Sequence, residues 1–370
     1  MKKIVFIFIV FSVVTVFFSG CRKHKDEEKK DSANILPSNF KVDIPAAISY
    51  SGAVKSVTKS GNDTVLDGNE IYQHLRFFIN VGEGSADIIQ ELIFAISRYN
   101  INKPMVLSFQ GDDDSRIKNL LVLEQVAYNR EAFEFMMVIT DALNESNSDK
   151  GLAVQLVWNR SPIKGVAILK PKNIDVRTAA QWNDAILKIE YSEARDKGYD
   201  SYMIVTISAI PLTNDPYTMS SLKMFAGKTG DYIDVYGNSN HPNARFLSSD
   251  SSGFNWAFVA TGKESSNIGV AEVGLPPSYL DNTSRNTLLN TYSIKNVFTN
   301  EINTFFGGTV DSATLAKYLK NADAPGYFDA GGFVSGGTSP GSAYNELIPR
   351  LSFLTPYNPK ELSTLSIALY

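Results

Sequence analysis

The chain is 370 residues long, 44% apolar, 20% charged and 11% aromatic, which is globular material for one large domain or two ordinary ones. A formal net charge of −4 without a lysine–arginine stripe argues against a nucleic-acid binder. Three histidines and one cysteine remove most metal and thiol chemistry.

The chain opens Met1-Lys2-Lys3 and runs uncharged from Ile4 to Phe18. A basic start followed by about 15 mostly apolar residues has the form of a signal peptide, whereas a bilayer-spanning helix needs about 20. The run ends Phe17-Phe18-Ser19-Gly20-Cys21, two small residues before the single cysteine. This resembles the lipobox of bacterial lipoproteins, with Phe18 where the usual residue is leucine. The resemblance implies cleavage between Gly20 and Cys21 and an acylated Cys21 sulfur. Cys21 then binds membrane lipid and offers no free thiol.

Residues 22–31 (Arg-Lys-His-Lys-Asp-Glu-Glu-Lys-Lys-Asp) hold no apolar side chain and read as a solvated tether. Arg22 is not the aspartate that keeps enterobacterial lipoproteins at the inner membrane, so the expected location is the outer membrane. Lys25 to Glu28 resembles the short export signal of Bacteroidota lipoproteins, which implies surface display. Three stretches carry a wider resemblance to uncharacterised lipoproteins of that group. They are Val81–Glu91, Gly111-Asp112-Asp113-Asp114 and Lys164–Pro171. No activity comes with that resemblance.

Two helices are expected early. Gly68 to Val81 places Ile71, Leu75 and Phe78 at helical spacing. Ser85 to Tyr99 places Ile88, Ile89, Leu92, Ile93 and Ile96 on one face, with Ser85 as cap. From Pro104 onward short β-rich runs alternate with Gly, Asn and Asp turns. The runs are 105–109, 117–127, 133–140, 152–158, 165–169, 185–191, 202–210, 222–226, 232–236, 254–260 and 268–273. Connections this short favour antiparallel neighbours. After Pro276-Pro277, residues 284–292, 299–305, 311–319 and 359–369 read as helical. The stretch 322–342 holds six glycines from Gly326 to Gly341 and reads as a long loop.

The expected fold is therefore α+β. A large curved antiparallel sheet of about eleven strands, open or barrel-like, follows an N-terminal helical segment and precedes C-terminal helices. The expected divisions are a signal peptide (1–20), a lipidated cysteine with its tether (21–40), a β-rich domain with an early helix (41–275) and a helical, glycine-rich region packed on the sheet (276–370).

Motif matches mostly dissolve on inspection. Gly337-Thr338-Ser339-Pro340-Gly341 has the form of a nucleophile elbow, but no histidine or aspartate follows Ser339. Ser220-Ser221-Leu222-Lys223 with Lys228-Thr229-Gly230 resembles two β-lactamase signatures packed too closely together, and Lys228–Asp231 reads as a hairpin turn. Asp112, Asp113 and Asp114 could hold calcium in one turn, but the full calcium-loop pattern is missing, so a solvated turn is expected. His74 reads as a core-edge residue, and His241 as part of a polar loop. Trp158, Trp182 and Trp256, with 17 tyrosines and 22 phenylalanines, could line an apolar cavity or stack on sugars; core packing competes for Trp158 and Trp256.

The functional expectation is a non-enzymatic, lipid-anchored envelope protein without catalytic residues, metal or cofactor. It binds an apolar, lipid-like ligand or an envelope protein. The alternative is a surface-exposed accessory protein for glycans or proteins; a hydrolase using two carboxylates ranks third.

Overall fold

The computed structural model describes residues 35–50, 66–112, 114–178, 182, 184–213, 217–245 and 252–368. Gly20, Cys21 and the charged tether lie outside the described residues. A two-residue strand β1 (Leu66–Asp67) leads into helix α1 (Gly68–Ser97). Strands β2 (Met105–Gln110), β3 (Ile117–Tyr128), β4 (Glu131–Asp141), β5 (Leu152–Arg160) and β6 (Ile163–Leu169) follow. After the short helix α2 (Pro171–Ile174) come β7 (Ile186–Ser192), β8 (Ser201–Ser208), β9 (Ser221–Thr229), β10 (Tyr232–His241), β11 (Phe254–Lys263) and β12 (Ile268–Gly274). The chain continues through a π-helical turn (Asn286–Thr291), α3 (Ile294–Phe305), α4 (Ser312–Tyr318) and β13 (Leu319–Lys320). It ends with β14 (Gly326–Asp329), β15 (Gly332–Gly336), α5 (Leu347–Phe353) and α6 (Pro359–Ser363).

Thirteen strands form one sheet in sequence order, β2 through β12 and then β14 and β15, with every neighbour antiparallel. β1 and β13 make a separate parallel pair. The sheet is open, and β2 and β15 are its edges. The fold is thus α+β, and all eleven expected strands are present.

Two strands of this sheet, β14 and β15, were not expected, because the glycine-rich stretch reads as loop. The glycines there serve close packing instead: a Cβ on Gly326 would sit 2.6 Å from the Tyr72 ring, and one on Gly336 would strike the Asn321 carbonyl. The two expected early helices are one. Asp67 caps it by accepting from the Asn69 amide at 3.0 Å, and Ser85, far from capping, donates to the Val81 carbonyl. Gly82 does not break the helix, because it sits where α1 touches the sheet and a side chain would meet Met224.

Helix length explains the inner layer. Thirty residues make a helix about 45 Å long, and strands lie about 4.8 Å apart, so α1 spans about nine strands. Tyr72 near its start stacks on Phe333 of β15, Phe78 meets Trp256 of β11, and Gly82 reaches Met224 of β9. An extended strap, residues 35–50, runs beside it without joining the sheet. Its amides find side-chain acceptors instead: Phe40 donates to Gln90 Oε1 (2.7 Å), Ile44 to Glu83 Oε1 (3.0 Å) and Ala47 to Asn267 Oδ1 (2.9 Å). Burial pushes the Glu83 carboxyl up, against the lowering effect of its hydrogen bonds from Ser49 and Ile44. Phe40, Ala47, Ile48, Leu75, Ile79 and Ile89 form one core with the inner residues of the strands.

The outer face is covered unevenly. Leu347 and Leu351 of α5, with Tyr344, pack on Val259, Ile268 and Val270. Arg350 locks α5 down through Nε and Nη2 bonds of 3.1 and 2.6 Å to the buried Asp234 carboxylate. Ile367 packs beside Val157 and Ile168.

Candidate interaction surface

The three tryptophans fall in different places. Trp158 is fully buried, stacked on Phe135 with centroids 5.4 Å apart, and its Nε1 donates to the Ile35 carbonyl at 2.7 Å. Trp256 lies between Phe78 and His74 in the core, and its Nε1 has no hydrogen-bond partner. Trp182 is half-buried, with its Nε1 enclosed and without a hydrogen-bond partner. The structure does not bring the three together into one platform.

Of the acidic turn, Asp112 is exposed, while Asp114 is bound to a cation of the chain itself. The buried Lys118 Nζ lies 3.0 Å from Asp114 Oδ2, 3.3 Å from Asp141 Oδ2 and 2.9 Å from the Asn173 carbonyl. Burial alone would raise Asp114; the amides of Arg116 and Val176 and the Lys118 ammonium outweigh it and hold the carboxyl below its usual range. Of the three carboxylates that could have taken calcium, Asp114 thus holds an ammonium, Asp112 faces solvent, and Asp113 lies outside the described residues. Among the described residues no group of three His, Cys, Asp or Glu could hold a metal ion.

His74 is half-buried at the edge of the core, and its Nδ1 bonds the Glu70 carbonyl. His241 is not in a loop: it ends β10, buried between Phe78 and Phe254, with Nδ1 on the Tyr217 carbonyl at 2.8 Å. The run Gly237-Asn238-Ser239-Asn240 folds as strand because its outward amides pair across the sheet. Asn238 donates to Asn255 at 3.2 Å, Asn255 to Asn240 at 3.1 Å, and Asn240 to Ser220 at 2.9 Å. Ser339 Oγ donates to the Gly341 carbonyl two residues on, and no base stands near it in those contacts.

The apolar-ligand expectation needs an interior space. Ligand pockets usually measure about 300–1,000 Å³. The inner face is filled by α1 and the strap, and a cavity of about 200 Å³ lies at its margin among Tyr72, Val273, Ile294 and Asp323. No helix among the described residues is long and apolar enough to cross a membrane.

The bare part of the molecule is the outer face of β2, β3 and β4. Side chains directly opposite one another across antiparallel strands share a face. Val106, Leu121 and Val138 form one such row, and Leu123 with Met136 forms the next. Val106 is 75% exposed, Leu121 and Leu123 just over a third, and Val138 and Met136 are half-buried. A polar row bounds the patch on one side: Ser108 donates to Asn119 (2.6 Å), and Asn119 and Thr140 both donate to Glu145 (2.7 Å each). On the other side Arg160 pairs with Glu134 at 2.8 Å. The first row continues into Gln155, which is 3% exposed, leaves Oε1 without a partner, and reaches only Met136 Sδ at 3.7 Å. A buried amide oxygen left unpaired is costly. An apolar patch with a polar rim is the mark of an interaction site.

This surface could not be located from sequence. Residues 120–123 read Leu-Leu-Val-Leu, apolar on both faces, and nothing in that pattern says which face lacks a cover.

Compared with known proteins, the chain matches no family model, no curated protein and no solved structure. What the fold defines is a class of architecture: an open antiparallel meander with one long helix across its inner face.

Proposed function

We propose that this chain is a non-enzymatic lipoprotein, held at the outer membrane through acylated Cys21, that acts by binding a protein partner on the outer face of β2–β4. The observation that carries the partner reading is the polar-rimmed apolar row Val106–Leu121–Val138, with Leu123 and Met136 beside it, on an uncovered part of the sheet. The filled inner face favours a partner over an enclosed lipid-like ligand. The anchor reading rests on Ser19-Gly20-Cys21 and the charged residues after it.

Each half has its own test. Cys21→Ala should release the protein from the envelope; a variant still acylated and still sedimenting with membranes overturns the anchor. A cysteine placed at Leu121 should react slowly with a membrane-impermeant maleimide in intact envelopes and quickly in the dilute, detergent-purified chain. Equal labelling in both states overturns the partner reading.

A further inference from the structure

We infer that the cavity at the margin of the inner face binds a small zwitterion, an α-amino acid with an aliphatic side chain. The site is separate from the outer face of β2–β4 and goes beyond the partner reading.

Elements from both ends of the fold wall this cavity. They supply Tyr72 of α1, Val273 of β12, Leu289 of the π-helical turn, Ile294 and Lys295 of α3, and Asp323 between β13 and β14. Single π-helical turns are rare and concentrate at functional sites. This one is fixed against the sheet. Gly274 of β12 lies so close that a Cβ there would strike the Leu288 carbonyl, and the Leu275 amide donates to the Tyr292 carbonyl at 2.8 Å.

The lining has an apolar end and a charged end. Val273, Leu289 and Ile294 are buried. Lys295 Nζ and Asp323 Oδ1 lie 2.5 Å apart, and each side chain is about half exposed, so this pair marks the mouth. Tyr72 is 2% exposed, and its hydroxyl donates to the Asp323 carbonyl at 3.4 Å. Such donors usually approach to about 2.8 Å, so a ligand oxygen can take this one over.

The charge pair selects the ligand. A half-exposed ion pair contributes little to stability and opens readily. An anion drawn to Lys295 would leave Asp323 unpaired beside it, and a cation drawn to Asp323 would strand Lys295. A molecule carrying both charges on one carbon replaces one pair by two. Its carboxylate belongs on Lys295, which stands in the first turn of α3, at the positive end of that helix. Its ammonium belongs on Asp323, and its side chain then reaches Val273, Leu289 and Ile294. Size agrees. The cavity of about 200 Å³ equals about seven waters at roughly 30 Å³ each, room for valine or leucine but not for a long acyl chain.

Isothermal titration calorimetry of the full chain in detergent provides the test. The probes are L-leucine, L-valine, isocaproate (leucine without its amino group) and isoamylamine (leucine without its carboxylate). Leucine should saturate one site per chain, with half-saturation at or below about 1 mM. Each truncated analogue should bind at least about tenfold more weakly, since it lacks a charge-assisted hydrogen bond. Lys295→Met and Asp323→Asn should each weaken leucine by a similar factor and, being half-exposed, leave the thermal melt close to that of the parent. Lys360→Met removes another exposed pair, with Asp281, and should leave leucine binding unchanged. No saturable binding of leucine or valine overturns the inference, and so does leucine binding that both substitutions leave intact. Isocaproate or isoamylamine binding as tightly as leucine overturns the zwitterion assignment. The Leu121 labelling test of the partner reading stands apart from all of these outcomes.

Discussion

β11 and β3 belong to one sheet and are both rich in apolar residues, yet their surroundings differ. Every β11 residue from Phe254 to Gly262 is buried, whereas β3 buries Lys118, Leu120 and Val122 and leaves Leu121 and Leu123 exposed. The cause is the reach of the cover. α1 and the strap line the inner face, α5 packs outside β11 and β12, and nothing among the described residues does the same outside β2–β4. An antiparallel meander can add hairpins without adding a second layer, since only one face must be buried. Apolar side chains beyond the cover are then available for association.

The comparison breaks most sharply at the core end. Trp158→Ala and Phe258→Ala remove fully buried rings and should each lower the unfolding free energy by about 3–5 kcal/mol in denaturant titrations. A loss below about 1 kcal/mol for either would mean that the covered region is loosely packed, and the contrast with β3 would fail.

pH probes the same region. Burial pushes the His241 imidazole down to about 4, and burial lowers His74 as well. In the unfolded chain both titrate near 6.5. Between those values the unfolded state binds protons that the folded state refuses. Stability is therefore full above about pH 6.5 and falls as the pH drops toward 4, by about 3 kcal/mol from His241 alone. His241→Gln should flatten the thermal-melting profile in that window. A profile unchanged by the substitution would place the charge elsewhere.

On the outer face, Arg350→Ala leaves the buried Asp234 carboxylate with only Thr261 and Tyr199. Because Arg350 is itself partly exposed, the loss should be about 2 kcal/mol rather than the full effect of a buried pair. Proteolysis should then cut first near α5. Cleavage elsewhere would mean that apolar packing, and not this ion pair, holds the outer cover.

These features differ in how far residues alone disclose them. The eleven strands from β2 to β12 are legible because period-two alternation and Asn/Gly/Asp turns act locally. The unity of α1 is not, since the contact between Gly82 and Met224 joins residues far apart in sequence. β14 and β15 are hidden for the same reason: their glycines answer to Tyr72 and Asn321. His241 was misplaced because the Asn pairing that makes strand of a polar run becomes visible only across β10 and β11. The bare surface depends on where other elements stop, which no local pattern encodes.

Gly84 and Gly82 sharpen the contrast within a single helix. A Cβ on Gly84 meets nothing within 4 Å, while one on Gly82 meets the Met224 side chain. Gly84→Ala should stabilise by about 0.5–1 kcal/mol, the ordinary gain in an open helix position. Gly82→Ala should fall short of that by about 1 kcal/mol as Met224 gives way. Equal gains at both would mean that α1 rides farther from β9 than its contacts imply.

The smallest effect is expected where the sequence looks most like core. Leu121→Ser and Leu123→Ser delete leucines from a strand, which in β11 would open cavities. Both side chains are partly exposed on the outer face, so each should change stability by no more than about 0.5 kcal/mol in denaturant titrations of the dilute chain. A loss of several kcal/mol in the dilute protein would mean that something covers this face after all, and the difference between β3 and β11 would vanish with it.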